Sequence, residues 1–464
     1  MADLKLCIHG HFYQPPRENP FTGEMPVEAG AEPFKNFNEK IYHRCYKPNA
    51  DLGNWDLISF DCGPTLAEWL NRAFPSTHAR IVAADHYHRQ LFGVGNAMAQ
   101  AYNHTILPLA RERDKRTQIA WGIADFVHRF GRHPEGMWLP EMAVDLETLT
   151  VMESLGLRYT ILCPHQVERL NGEWADSIRP YFVRLPNHRT FTIFLRDEEL
   201  SNRLAFDPSL TVDAAQFARW SRNVIGRDQG LFIIAIEGET FGHHQERRQF
   251  FLNSLLHTEL PRSGFEVFTP GMCLLEHPPT EEVRIVNNTA WSCAHGVARW
   301  SIGCPCTPGD QQWKSRLRTA FDRLAGAVDA LYESECRRWI DKPWLLRDSY
   351  INVMLNSMDG LQLLQQFSTA AIPTQDALRI LYLLEAGRYC QAMYTSAGLY
   401  FEDVSRIETR SNIGYAAMAV EQVRLATGID LAPGLRSDLA AVTSWLTNET
   451  GRDIYDRLII ERQI

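Results

Sequence analysis

Seven short apolar runs, each stopping on a group that can bind or move a proton, set the strongest limit on what this chain can fold into. "LKLCI" runs into His9, Gly10 and His11, "LISF" into Asp61, and "AMAQAY" into Asn103 and His104. "GMWLP" stops at Glu141, "YTILCP" at His165, "FTIFL" at Arg196 and Asp197, and "LFIIAI" at Glu237. Amphipathic stretches with helical spacing lie between them, so the chain from Leu4 to about Pro270 reads as α/β. In a parallel barrel the C-terminal strand ends share one face, and the active site is built there. Any strand must end in something polar. Seven ends rich in histidine and acid favour a site over ordinary strand termini.

From about Gln312 onward the pattern is helical. "WKSRLRTAFDRLAGAVDALYESECRRWI" carries Leu317, Ala320, Phe321, Leu324, Val328 and Leu331 at helical spacing. "TQDALRILYLLEAGRYCQAMY" and "IGYAAMAVEQVRLATG" read alike. The expected organisation is an α/β domain over 1–285, an ordered irregular connection over 286–311, rich in Pro, Gly, Cys and Trp, and a helical domain over 312–464.

Composition narrows the partners. The net charge is 47 − 56 = −9 over 464 residues, which disfavours nucleic acid, because phosphate binding needs clustered Lys and Arg. No basic region with a following long apolar segment opens the chain, and no apolar run is long enough for a bilayer. The expectation is a cytoplasmic protein without a membrane partner. Of ten cysteines only Cys304 and Cys306 are close, as "CPC", with no second pair at zinc-ribbon spacing. The cysteines read as reduced core residues, with a redox or metal element at "CPC" as the lesser alternative.

"GMWLPE" and "IAIEGETFGHH" are the most specific segments. Each sets a carboxylate at the end of an apolar run beside an aromatic: Trp138 before Glu141, and Phe241 after Glu237. Two facing carboxyls can divide the cleavage of a glycosidic bond. One attacks or stabilises the anomeric carbon, and the other protonates the leaving oxygen. Burial and mutual repulsion separate their pKa values. Aromatic faces suit sugar rings, and Trp138, Trp291 and Trp300 lie in or near these segments.

Five segments, in order, resemble the signatures of glycoside hydrolase family 57. "HGHFYQPPRENP" is similar to the first, and "AYNHTILPLA" to the second, with Thr105 where proline is usual. "GMWLPE" matches the third, "IEGETFGHH" the fourth, and "TSAGLYFED" is the nearest to the fifth. "TAWSCAHGVARW" is similar to the family's entry into its helical domain. The resemblance is closest to a bacterial branch carrying an additional C-terminal domain of unknown function. It implies a distorted seven-stranded (β/α) barrel followed by an α-helical bundle. It also implies a retaining enzyme on α-glucans or maltooligosaccharides (an α-amylase, 4-α-glucanotransferase or branching enzyme) that needs no cofactor and no metal. By resemblance Glu141 is the nucleophile and Glu237 the general acid/base, with His9, His11, Gln14, His104, Trp138, Glu239, Phe241, His243 and Trp291 as candidate substrate contacts. Besides Thr105, two positions depart from the pattern. Glu237 stands where the family has aspartate, adding one methylene, and Ala397 stands where the fifth signature carries an acid.

His9, His11, His86, His88, His104, His243 and His244 also raise a metal reading, a metal-dependent polysaccharide deacetylase, since His-x-His on a strand presents both rings to one face. Against it, no aspartate sits beside His9 in the sequence, and His86 and His88 belong to a surface helix pattern. A third reading is a catalytically weak glucan-binding protein, motivated by Glu237 and Ala397.

Overall fold

A computed structural model describes residues 4–461. All seven apolar runs are strands: β1 (Leu4–Phe12), β2 (Ser59–Cys62), β3 (Ala97–Gln100), β4 (Met137–Trp138), β5 (Tyr159–Leu162), β6 (Thr190–Leu195) and β7 (Gly230–Glu237). β1 lies between β7 and β2, β3 follows β2, β4 follows β3, and β6 lies beside β5, every pair parallel. Two thinner contacts close the series. Gly136, just before β4, bridges to Tyr159 of β5, and the Asp197 amide beyond β6 donates to the Ile233 carbonyl of β7 at 2.7 Å. The result is a seven-stranded parallel barrel, distorted where β4 shrinks to two residues and pairing thins to a bridge.

Register explains why the polar strand ends meet. His9 of β1 is level with Ser59 of β2 and Ala235 of β7, and His11 is level with Asp61 and Glu237. Level residues of neighbouring strands project to the same face. Asp61, His11 and Glu237 therefore form one row at the C-terminal end of the barrel.

The described chain divides into two compact units. The first runs to Gln14 and includes Val27–Ala101 and Phe126–Trp291. The second comprises Pro15–Pro26, Tyr102–Asp125 and the chain from Ser292 onward. This differs from the expected boundaries at 285 and 312, because two segments from the α/β half join the helical part. Tyr102–Asp125 carries the reason in its side chains: Trp121 donates to the Asp348 carbonyl at 3.0 Å, and Asp114 pairs with the buried Arg347 at 2.8 Å. Order along the sequence does not report such contacts.

The second unit's long helices are Gln312–Cys336, Thr374–Ala392 and Ile407–Thr427. Leu317, Ala320, Phe321, Leu324 and Val328 are buried, as the spacing predicts, and Leu331 is half-buried. Ala386 and Gly387 on one helix, and Gly414, Ala416 and Ala417 on the next, are buried small residues that let helices approach closely. No helix among the described residues is long and apolar enough to cross a membrane. The helix Pro75–Phe92 is less superficial than its sequence suggests, since His88 is buried and its Nδ1 lies 2.7 Å from the Val94 carbonyl.

Candidate active site

Glu141 sits on a tight turn after β4. Its φ is 57° and that of Met142 is 47°, a left-handed pair that non-glycine residues seldom adopt. The strain is held by pairing with residues 288–291. The Val144 amide donates to Thr289 at 3.1 Å and the Trp291 amide to the Glu141 carbonyl at 3.0 Å. The Trp291 indole N–H then donates to the Glu141 carboxylate at 3.2 Å. The turn aims the carboxylate and Trp291 fixes its direction.

Glu237 ends β7, and Gly238 explains why a second acid can follow so closely. A Cβ on Gly238 would lie 2.3 Å from the Phe12 ring, so only glycine lets the chain turn there. Glu239 comes next, buried, and accepts from the Tyr46 hydroxyl at 2.6 Å, with Gln14 as a further side-chain donor. Tyr46 closes a π-helical turn, Tyr42–Tyr46, a form frequent at functional sites.

The row beneath the carboxylates is a charge network. Asp61 spends one oxygen on His9 Nε2 at 3.0 Å and the other on His11 Nδ1 at 2.9 Å. The Gln100 amide also reaches Asp61, and His9 Nδ1 meets the Ser59 hydroxyl at 2.9 Å. Both imidazoles stack on Trp138, with centroids 4.9 Å away.

Electrostatics separates the groups. Burial acts against charge on both imidazoles. At His9 burial wins and the pKa falls. At His11 burial is outweighed by Asp61, Glu237 and Glu239, and the pKa rises. Asp61 is pushed up by burial but pulled further down by the two histidines. His11 and Asp61 therefore form a buried ion pair, and His9 stays neutral. Burial raises Glu239 to about 7, against the Tyr46 hydrogen bond and His11. Glu237 is also raised, by desolvation first, then by the charges of Glu239, Glu141 and Asp61, with His11 opposing. Its side chain is exposed although protein surrounds it. Solvent therefore weakens the desolvation, and the upward direction is what the arrangement dictates.

The expected contacts sort by accessibility. Solvent reaches Glu237, and Glu141, Trp291 and His243 are half-buried. His9 and Trp138 are 0% exposed and Phe241 is 1% exposed. His9 and Trp138 stack behind the row and Phe241 packs among buried residues. His11, Gln14 and Glu239 are buried at the edge of the same group. His104 belongs to the second unit, buried, with Nδ1 2.6 Å from the Ser396 hydroxyl. His243 lies on the turn after Glu239, its amide donating to the Glu239 carbonyl at 3.0 Å. Burial lowers its pKa to about 4, helped by His244, Arg44 and Lys40. In the fifth-signature stretch Leu399 is core, and Asp403 accepts from Ser444 at 2.7 Å and from the Trp445 amide at 3.0 Å, a structural role.

No aspartate neighbours His9 in sequence, but Asp61 of the adjacent strand lies beside it. The result is still not a ligand set. Both Asp61 oxygens point at imidazoles and both His9 nitrogens are bonded inside the protein. Two other groups of side chains among the described residues are close enough to share one ion: Cys163 with His165 and Glu198, and Cys293 with His295, Cys304 and Cys306. The first is mostly exposed, and His165 is engaged by Glu198 at 3.4 Å and the Ala290 carbonyl at 3.3 Å. In the second, Cys293 and Cys304 are buried as expected of core residues, whereas Cys306 is exposed.

The model of glycosyl hydrolase family 57 matches residues 26–286, more than half of the chain. The chain belongs to glycosyl hydrolase family 57. A second match, to a domain of unknown function, covers residues 310–464. No curated protein matches the chain in sequence. Among solved structures it is similar to an exo-type maltose-forming amylase from Pyrococcus sp. ST04, with TM-score 0.73, 14% identity, and coverage of 100% of this chain and 88% of that one. It is also similar to a branching enzyme of the family from Thermococcus kodakaraensis, with TM-score 0.60, 16% identity, and coverage of 100% and 94%. A 4-alpha-glucanotransferase from Thermococcus litoralis gives TM-score 0.57 at 14% identity, covering 90% of this chain and 60% of that one. These likenesses establish the shared fold. Tyr46, Gln100 and Ser59 are residues that the sequence does not single out, and Asp61 is marked there only as a strand end. Asp61 had a signal, as the end of "LISF". Tyr46 had none, lying in a helical turn outside every signature segment.

Proposed function

We propose that the chain is a retaining enzyme acting on α-glucans, with Glu141 as nucleophile and Glu237 as general acid/base. One observation carries the reading: the accessible acid with the raised pKa, Glu237, stands in the same group as a carboxylate aimed by Trp291. A general acid must hold its proton near neutral pH, and a raised carboxyl does so. Glu141 attacks the anomeric carbon while Glu237 protonates the leaving oxygen. Glu237 then deprotonates water or an acceptor hydroxyl, which releases the sugar with its configuration retained. His11, charged and paired with Asp61, faces Glu237 and Glu239 and steadies the negative charge that develops on Glu237. Glu239, held by Tyr46 and Gln14, is the candidate contact for a sugar hydroxyl in the neighbouring subsite.

Family membership and fold support the substrate class. The choice between hydrolysis, glucan transfer and branching rests with the acceptor. The test is incubation with amylose and with maltooligosaccharides, following anomeric configuration by NMR and products by chromatography. Initial products of retained α-configuration support the reading, and inverted products exclude Glu141 as nucleophile. Reducing ends, disproportionated oligosaccharides or new branch points assign the reaction type.

A further inference from the structure

The connection after Trp291 folds into two tight turns that face each other. In the first, the Gly296 amide donates to the Cys293 carbonyl at 3.0 Å, and in the second the Thr307 amide donates to the Cys304 carbonyl at 3.3 Å. Gly303, at φ +86°, turns the chain into the second, and a Cβ there would lie 2.2 Å from the Gln311 side chain. The turns bring together Cys293, His295, Cys304 and Cys306, all in the second unit, with ligand atoms within 4.8 Å of one another. Cys293 Sγ lies 3.5 Å from Cys304 Sγ, 4.0 Å from Cys306 Sγ and 3.9 Å from His295 Nδ1, and Cys306 Sγ lies 3.3 Å from His295 Nδ1.

We infer that these four residues form a closed, tetrahedral structural zinc site. Zinc binds sulfur at about 2.3 Å and imidazole nitrogen at about 2.0–2.1 Å, which sets sulfurs about 3.8 Å apart and sulfur and nitrogen about 3.6 Å apart at tetrahedral angles. The four separations bracket those values. A disulfide needs sulfurs about 2.05 Å apart, so these cysteines are not bridged. An iron–sulfur cluster sets its cysteines wider, because several irons and sulfides stand between them. Three thiolates and one imidazole are a zinc set, and with all four positions filled by protein the ion has no open position for substrate.

A second observation points to an anion here. Arg299 and Lys314 are buried, and among the described residues neither meets a carboxylate at ion-pair distance. Arg299 lies over the Tyr400 ring at 4.5 Å, Lys314 reaches the Tyr400 carbonyl at 3.5 Å, and both stand close enough to Cys293 and Cys304 to interact with them electrostatically. Buried cations need a counter-charge. Three neutral thiols provide none. Zinc with three thiolates and a neutral imidazole carries one net negative charge and supplies it. Binding displaces three thiol protons to solvent, with no change in oxidation state. The ion locks the segment that starts two residues after Trp291.

The test is metal analysis of the full chain, grown with zinc and purified without chelator. About one zinc per chain is expected in wild type, falling below about a tenth in C304S and in C306S after dialysis against a chelator. Cys306 is exposed, so C306S keeps the test valid if C304S fails to fold. X-ray absorption at the zinc edge should fit three sulfurs and one nitrogen. The variant E141Q should keep its zinc while losing turnover, so failure of the metal site and failure of the catalytic assignment remain distinguishable. The inference is overturned by wild type that stays below about a tenth of an equivalent after reduction and zinc addition. Zinc content unchanged in both cysteine variants, or an oxygen and nitrogen shell alone, would also overturn it.

Discussion

The strand ends of the barrel and the paired turns of the second unit both concentrate polar side chains, by opposite routes. In the barrel, His11, Asp61, Glu141 and Glu237 come from four distant strands or strand ends. Parallel register brings them together, and much of the group is satisfied internally, with Asp61 bound to two histidines and Glu239 to Tyr46. In the turns, the four ligands lie within residues 293–306, and their sulfur and nitrogen atoms converge on a common point. Groups that pair with one another hold a geometry for chemistry at their accessible edge. Groups that converge without matched partners call for an atom at the centre.

Substitutions can break this contrast, and the largest effect is expected at Glu141. E141Q should lower kcat/KM on the order of 10⁴-fold or more with the circular dichroism spectrum unchanged, and a loss under about tenfold removes it as nucleophile. E237Q should cost about 10²- to 10⁴-fold in kcat and erase the alkaline limb of the pH profile. The sign follows from the raised pKa. Glu237 donates only while protonated, so wild-type activity is held below that pKa and lost as pH rises through it. A profile that only climbs through neutral pH contradicts the assignment.

D61A tests whether the barrel network holds itself together. It strips a buried charge pair of one partner, which costs about 3–5 kcal/mol and should appear as a lower denaturation midpoint with an unchanged slope. A loss below about 1 kcal/mol means that the row is not a structural pin. W291F, the mildest, removes one N–H donor from Glu141. It should reduce kcat/KM by a few-fold to about tenfold, the worth of one hydrogen bond, and no change at all would leave Trp291 only its packing.

The barrel was legible because both of its signals are local: a short apolar run marks each strand, and a polar residue marks its end. The row of Asp61, His11 and Glu237 needed register as well, which no single run contains. Depth was the weaker inference. Alternation tells which face His9 and Trp138 occupy, but not that the barrel closes over them. The helical stripe from Leu317 to Val328 was readable from its spacing, whereas the assignment of Tyr102–Asp125 to the second unit depends on side-chain partners such as Arg347 that lie far along the chain. The cysteine turns are not legible from "CPC" alone. The other half is Cys293 and His295, and only the turn at Gly303 brings the two halves together.

The account's central claim is that Glu141 forms the bond to the sugar. A fluorinated glucosyl fluoride carries its own leaving group and needs no general acid, so it can be offered to E237Q, in which release of the intermediate is slowed. Mass spectrometry should then find one fluoroglucosyl group on the peptide that contains Glu141. A label on Glu239 instead, or complete turnover to an inverted product with no label, would contradict it.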